Sequence, residues 1–170
     1  VTINHGAAAG TLPTNPFDPL ATSVVLDDDI NNVLNGNTSV IITTGTGGPP
    51  GAGTITLGTG VLIDRNTGAT PVTFRLDAAA NINSFDAATV IRSDRSVAGV
   101  GALDVEFNAG LGVNGGSIFF TGAINTNGGN VSMTANGLNS GSVISLNNAT
   151  IDTRTALLDA GTGGAVSIDG

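Results

Sequence analysis

The chain has 170 residues, one domain's worth, and its 13 acidic side chains against five basic ones leave a formal net charge of −8. That balance excludes a nucleic-acid partner and anionic headgroups, both of which need a basic footprint. The absence of cysteine excludes disulfides and thiolate metal sites, and no apolar run approaches the roughly 20 residues that direct membrane insertion as a helix requires. All five cations are arginine, so lysine Schiff-base chemistry and lysine–asparagine crosslinks are also absent. With 26 glycines, six phenylalanines and neither Trp nor Tyr, the apolar content sits in Val, Ile, Leu and Ala. A thin core of stacked aliphatics fits this composition better than a thick globular one. Gly and Asn tolerate positive φ at little cost, so their abundance among β-branched residues favours strands joined by tight turns.

The first element in chain order is a short β run, VTI, without a basic or apolar leader before it, which reads as a piece from the interior of something longer. Pro13, Pro16 and Pro19 then rule out a helix, so residues 1–23 read as an extended lead-in, with a first coil as the alternative. A short strand at 24–26 leads into the one convincing helix, 27–35. There Leu26, Ile30, Val33 and Leu34 share a face and Asp27, Asp28 and Asp29 suit the positive end. Asn35-Gly36 supplies its stop.

From residue 39 a phrase recurs: a β run, a break, a second run, a glycine-rich turn. Its copies include SVIITT (39–44), TITLGTGVLID (54–64), VTFRLDAAANINS (72–84) and LDVEFNAGLGV (103–113). SIFFTGAINTNGG (117–129), NVSMTANGLNSG (130–141), SVISLNNATIDTRT (142–155) and AVSIDG (165–170) follow. Each run buries only two or three apolar side chains, so neighbouring copies must stack to complete a core. The expectation is an all-β solenoid over 24–170 with loop insertions at coil corners, at 45–53, 85–101 and 154–164. The gap at 85–101 could equally hide a further coil around 89–92. One inward residue per copy (Val40, Ile55, Phe74, Val105, Ile118, Val131, Val143, Val166) makes eight rungs. At about 4.8 Å each, these give a rod of roughly 40 Å.

The ordered series DDDINNVLNGNTSVIITTGTGG, GTITLGTGVLID and VTFRLDAAANINSFDAATVI resembles the large exoproteins of the filamentous haemagglutinin type, and LDVEFNAGL through GGAVSIDG looks like the same array. The resemblance implies a right-handed parallel β-helix from a secreted Gram-negative adhesin exported by two-partner secretion. Asn15-Pro16-Phe17-Asp18 lacks the glycine of that family's NPxG-type secretion motif, so the piece reads as an internal section of the shaft. The shaft repeat carries no functional residue to transfer.

Candidate sites are few. Asp64, Asp77 and Asp86, with Arg65, Arg75 and Arg92, are the carboxylates and cations a carbohydrate-active β-helix would need to align. The missing aromatic platforms weigh against that, and no catalytic residue or cofactor is expected. Asp27, Asp28 and Asp29 are the candidates for Ca²⁺, with helix capping as the plainer role. His5 has neither Cys nor a second His beside it, so it reads as a turn histidine. Phe119 and Phe120 must face opposite sides of a strand, the outward one lying under an insertion or forming a lateral patch with Phe85. Asn114, Asn127, Asn136 and Asn147 suit side-chain amide ladders.

The expected function is therefore structural: a shaft and display segment of a secreted cell-surface adhesin, making attachment or biofilm contacts. Arg92, Asp94 and Arg95 in the 85–101 loop form its contact element. Its partners would be flanking solenoid repeats and a host-cell or matrix glycan or protein receptor. The alternatives are a subunit of a self-assembling extracellular filament, and a carbohydrate-active β-helix.

Overall fold

The computed structural model describes residues 1–8, 12, 14–19, 22–45, 53–112, 115–137, 141–155 and 163–170. Pro13, Asn114, most of the 45–53 insertion and residues 156–162 of the 154–164 insertion lie outside the described residues. Two short strands, β1 (Thr2–Asn4) and β2 (Val24–Leu26), precede the helix α1 (Asp27–Asn35) and β3 (Val40–Thr43). The chain then runs four times through a circuit of three strands. These are β4 (Ile55–Leu57), β5 (Leu62–Arg65) and β6 (Val72–Asp77), then β7 (Ile82–Ser84), β8 (Val90–Ser93) and β9 (Leu103–Ala109). The last two circuits are β10 (Ile118–Phe120), β11 (Ala123–Asn125) and β12 (Val131–Ala135), then β13 (Ile144–Leu146), β14 (Thr150–Asp152) and β15 (Val166–Asp169).

Among the described residues every strand pairing is parallel, and the strands sort into three sheets. The first runs β2-β1-β4-β7-β10-β13, the second β5-β8-β11-β14 and the third β3-β6-β9-β12-β15. This mostly β architecture, with one short helix, is consistent with a parallel β-helix. Alternation within each strand sends one set of side chains inward, and the register stacks like on like. Ile55, Ile82, Ile118 and Ile144 line one ladder of the first sheet. Ile63, Ile91, Ile124 and Ile151 line the second sheet. Val40, Phe74, Val105, Val131 and Val166, beside Ile42, Leu76, Phe107, Met133 and Ile168, line the third. Burying one such side chain contributes about 1.5–3 kcal/mol, and a stacked column repeats that gain at every level.

Two expectations are corrected here. The recurring phrase is not one coil. Stacked neighbours show that one turn of chain takes 27 residues from Ile55 to Ile82, 36 from Ile82 to Ile118 and 26 from Ile118 to Ile144. The eight chosen rungs therefore mix two sheets, and the longest stack holds six strands, or roughly 24 Å between its outer strands. Val143 is not inward but half-exposed; Ile144 and Leu146 pack on the core instead. Of the two readings of the 85–101 gap, the β run expected around 89–92 is present as β8, a regular strand of the second sheet, but it belongs to the coil of β7 and β9 and adds no further coil.

Helix α1 occupies the place next to β5 that a strand of the second sheet would take. Ile30 and Leu34 are fully buried and Val33 packs against the same core. Its N-cap is Leu26, with no side-chain cap bond, so Asp27 is not the cap the sequence suggests. The helix ends through Asn37, at φ 60°, whereas Gly36 keeps an ordinary φ of −78°. Asp27, Asn31 and Asn35, four residues apart, face the open edge of β5. The amide of Leu62 donates to Asp27 (2.8 Å), Asn31 accepts from Asp64 (2.7 Å) and donates to Leu62 (2.9 Å), and Asn35 donates to Asp64 (3.3 Å). Four helical residues rise about 6.0 Å and two strand residues about 6.6 Å, which is why one spacing can serve the other.

Candidate functional site

The outer face of the second sheet carries most of the molecule's exposed cations. Register places two columns there: Leu62, Val90, Ala123 and Thr150, and beside them Asp64, Arg92, Asn125 and Asp152. Arg92 grips Asp64 through Nε (2.8 Å) and Nη2 (3.2 Å), a bidentate pair whose carboxylate holds the guanidinium above its ordinary pKa. Arg95 lies on the turn after β8. It reaches past the Asn125 level to Asp152, with Nη2 donating at 2.7 Å, while Arg154 closes on the same carboxylate at 2.6 Å. Together the hydrogen bonds from Arg154 and Arg95 hold Asp152 far below the usual carboxylate range.

Between these pairs opens a cleft of about 290 Å³ lined by Arg92, Ser93, Asp94, Arg95, Ser96 and Asn125. Asp94 fixes its turn by accepting from the Ser96 hydroxyl (2.6 Å) and amide (2.9 Å), which lowers its pKa. All three residues expected in the contact loop line this cleft, though not as a free excursion. Arg92 belongs to β8, and the Arg95 side chain is only 14% exposed because Asp152 holds it. Sequence reasoning misses Asn125 and Asp152. The available signal is alternation in AIN and TID, which aligns both with Arg92 once the second sheet is recognised.

The other candidates are placed apart. Arg75 pairs with Asp77 at the end of β6 (2.8 Å) in the third sheet, and Asp86 accepts the amides of Gly60 (2.7 Å) and Ala88 (3.0 Å) at a corner. Arg65 points into the core, fully buried, and its guanidinium donates to the carbonyls of Ala102, Gly68 and Thr70 and to Asn37. Asp64, Asp77 and Asp86 are thus separately engaged rather than convergent. Asp27 is buried with both oxygens occupied, accepting from Gly6 and Leu62 and pairing with His5 at 2.7 Å. Among the described residues no group of three His, Asp or Glu side chains is placed to hold a metal ion.

Phe120 sits in the core against Phe107, with ring centroids 5.8 Å apart, while Phe119 faces out against Phe85 at 6.2 Å. Phe85 is 71% exposed, so the insertion does not cover it. Asn127 and Asn136 donate to the carbonyls of Val100 (2.8 Å) and Ala109 (3.4 Å) in the preceding coil rather than to stacked amides. The Ala109 carbonyl also accepts the backbone amide of Asn136 (3.1 Å), so that asparagine ties the two coils twice at one oxygen. Comparison with models of protein families, with curated proteins and with solved structures found no match in any of the three.

Proposed function

We propose that this chain is a section of a right-handed parallel β-helix that serves as a rigid shaft and display scaffold in a secreted, cell-surface adhesin. Right-handedness follows the strong preference of parallel crossover connections. The observation that carries the reading is the unbroken register: ladders in all three sheets run from coil to coil through the described residues. A column of parallel hydrogen bonds with a stacked aliphatic core resists bending and leaves side chains at the corners and outer faces to make contacts. The resemblance of residues 24–170 to filamentous haemagglutinin-type exoproteins supports a secreted, cell-surface setting on a Gram-negative bacterium.

The alternative is a head-to-tail filament, in which a layer from another copy would continue the ladder that Val166 and Ile168 extend on β15. It is the weaker reading, because α1 covers the edge of β5 that such stacking would need at the other end. Blotting of supernatant, outer-membrane and cytosolic fractions with an antibody against residues 85–101 tests the assignment. The expected result is a band much larger than this chain outside the cytosol. A chain-sized band confined to the cytosol would overturn it, and one in pelletable fibres would favour the filament.

A further inference from the structure

Resting on the display reading, we propose that the cleft beside β8 binds a neutral, hydroxyl-rich saccharide through Arg92, Asp94, Arg95 and Asn125. Its roughly 290 Å³ lies at the low end of small-molecule sites, which span about 300–1,000 Å³, and only polar side chains line it. The charges around it balance: Arg92 pairs with Asp64, Arg95 and Arg154 share Asp152, and Asp94 supplies the third carboxylate against three guanidiniums. A phosphate, sulfate or uronate would meet guanidiniums whose charge is already balanced by carboxylates, within a chain of net charge −8. A cationic ligand would face the arginines. The cleft therefore selects for ligands without charge.

What remains is unused hydrogen-bonding capacity. Arg92 commits Nε and Nη2 to Asp64, which leaves Nη1. Asp94 commits Oδ1 to Ser96, which leaves Oδ2. Asn125 makes no side-chain hydrogen bond among the described residues, so its amide offers both donor and acceptor. A donor, an acceptor and a group that is both, held at one cleft, match adjacent hydroxyls, each of which donates and accepts. The ion pairs and the strands hold these groups in place, so ordering them costs little on binding. With no aromatic ring in the cleft, single-site affinity is weak, on the order of millimolar, and display in many copies raises it.

The test starts from an array of neutral, uronate-bearing and sulfated oligosaccharides probed with the whole chain, followed by NMR titration of the best neutral binder. Neutral sugars are expected to bind and to perturb the amides of 92–96 and 125. Asn125→Ala breaks no internal bond and should leave the melting temperature unchanged while weakening binding roughly tenfold. Asp94→Asn, which keeps the Ser96 contacts, should weaken it as well. No binding, binding of acidic sugars alone, or full affinity in Asn125→Ala would each overturn the inference. Antibody labelling of whole cells separates the two levels. A chain displayed on the surface that binds no sugar sinks this inference and spares the display reading. A chain found only in the cytosol sinks the display reading, while the titration still decides the cleft.

Discussion

Asn31 of α1 accepts the backbone amide of Asp64 at 2.7 Å, the bond that a neighbouring strand would otherwise supply. Its other carboxamide atom donates to Leu62, while Asp27 and Asn35 repeat the service one helical turn to either side. The helix thus ends the second sheet without leaving the unpaired row of amides and carbonyls that invites aggregation. At the opposite end β13, β14 and β15 are the outermost strands of their sheets, and Val143, Val166 and Ile168 are half-exposed there. The cover is specific to the second sheet, because the side chains of α1 lie along β5.

Removing that cover should be visible locally. Asn31→Ala orphans the amide of Asp64 and the carbonyl of Leu62 and is expected to cost about 1–3 kcal/mol. Hydrogen exchange at Leu62 and Asp64 should accelerate more than at Ile118 in the middle of the first sheet, and light scattering should report association through the β5 edge. Unchanged exchange at both amides would show that water or a rearranged neighbour replaces the asparagine.

The pair of His5 and Asp27 predicts a pH dependence with a definite sign. The hydrogen bond to Asp27, with its charge adding to the effect, raises the His5 pKa above its ordinary value of 6.5. A raised folded-state pKa stabilises the protein below the unfolded value, and that contribution disappears as pH climbs through the folded one. The N-terminal strand β1 should therefore hold more firmly at pH 5–6 and loosen on the alkaline side of about 6.5. His5 is the only histidine, so its ring resonances can be titrated directly. Exchange protection of β1 in His5→Ala should lose this pH dependence. A midpoint at or below the ordinary value would refute the assignment.

Arg65 is a fully buried cation whose hydrogen bonds run to carbonyls and an asparagine rather than to a carboxylate. Burial lowers its pKa from an already very high value, so it stays charged. Its donors gather the carbonyls of Thr67, Gly68, Thr70 and Ala102, of which Gly68 and Ala102 also accept the amides of Gly101 and Val72, and so tie two coils at the corner between the second and third sheets. Arg65→Met retains most of the volume and removes every donor. The expected loss is about 2–4 kcal/mol, read from denaturant midpoints, with Arg65→Lys recovering little because an ammonium cannot span several carbonyls. A neutral Arg65→Met would mean that the backbone amides of Gly101 and Val72, with water at Thr67 and Thr70, suffice for the corner carbonyls.

How much of this is legible in the sequence follows from local pattern strength. Strands of the third sheet such as VTFRLD and LDVEFNA alternate over six or seven residues, so their inward faces can be read directly. Those of the second sheet are as short as AIN and TID, with a single inward isoleucine, and merge with the corners. That is why β8 is half hidden inside an insertion and the coil reads as too short. Arg65 shows a conflict of signals: alternation after Ile63 places it inward and its charge argues outward. The deciding carbonyls lie at residues 67–70 and 102, beyond any local window. The same holds for the cleft, since Arg95 and Asp152 meet only because two intervening turns of chain stack in register.

Close stacking at the corners supplies the last prediction. A Cβ on Gly129 would run into the carbonyl of Leu103 in the coil below, and the backbone of Gly129 itself lies directly against Gly164 in the coil above. Neither glycine has a positive φ, so the demand is for space between layers rather than for an unusual conformation. Gly129→Ala should push β9 and β12 apart at one end and cost about 1–3 kcal/mol, as overpacking does elsewhere. Gly141, where an added methyl would meet nothing within 4 Å and φ is not positive, serves as the control. Gly141→Ala should be neutral or stabilising by up to about 1 kcal/mol, because it only restricts the unfolded chain. Thermal melts of the two variants decide the matter: equal melting temperatures would mean that the coils do not pack as closely at this corner as the stacked glycines require.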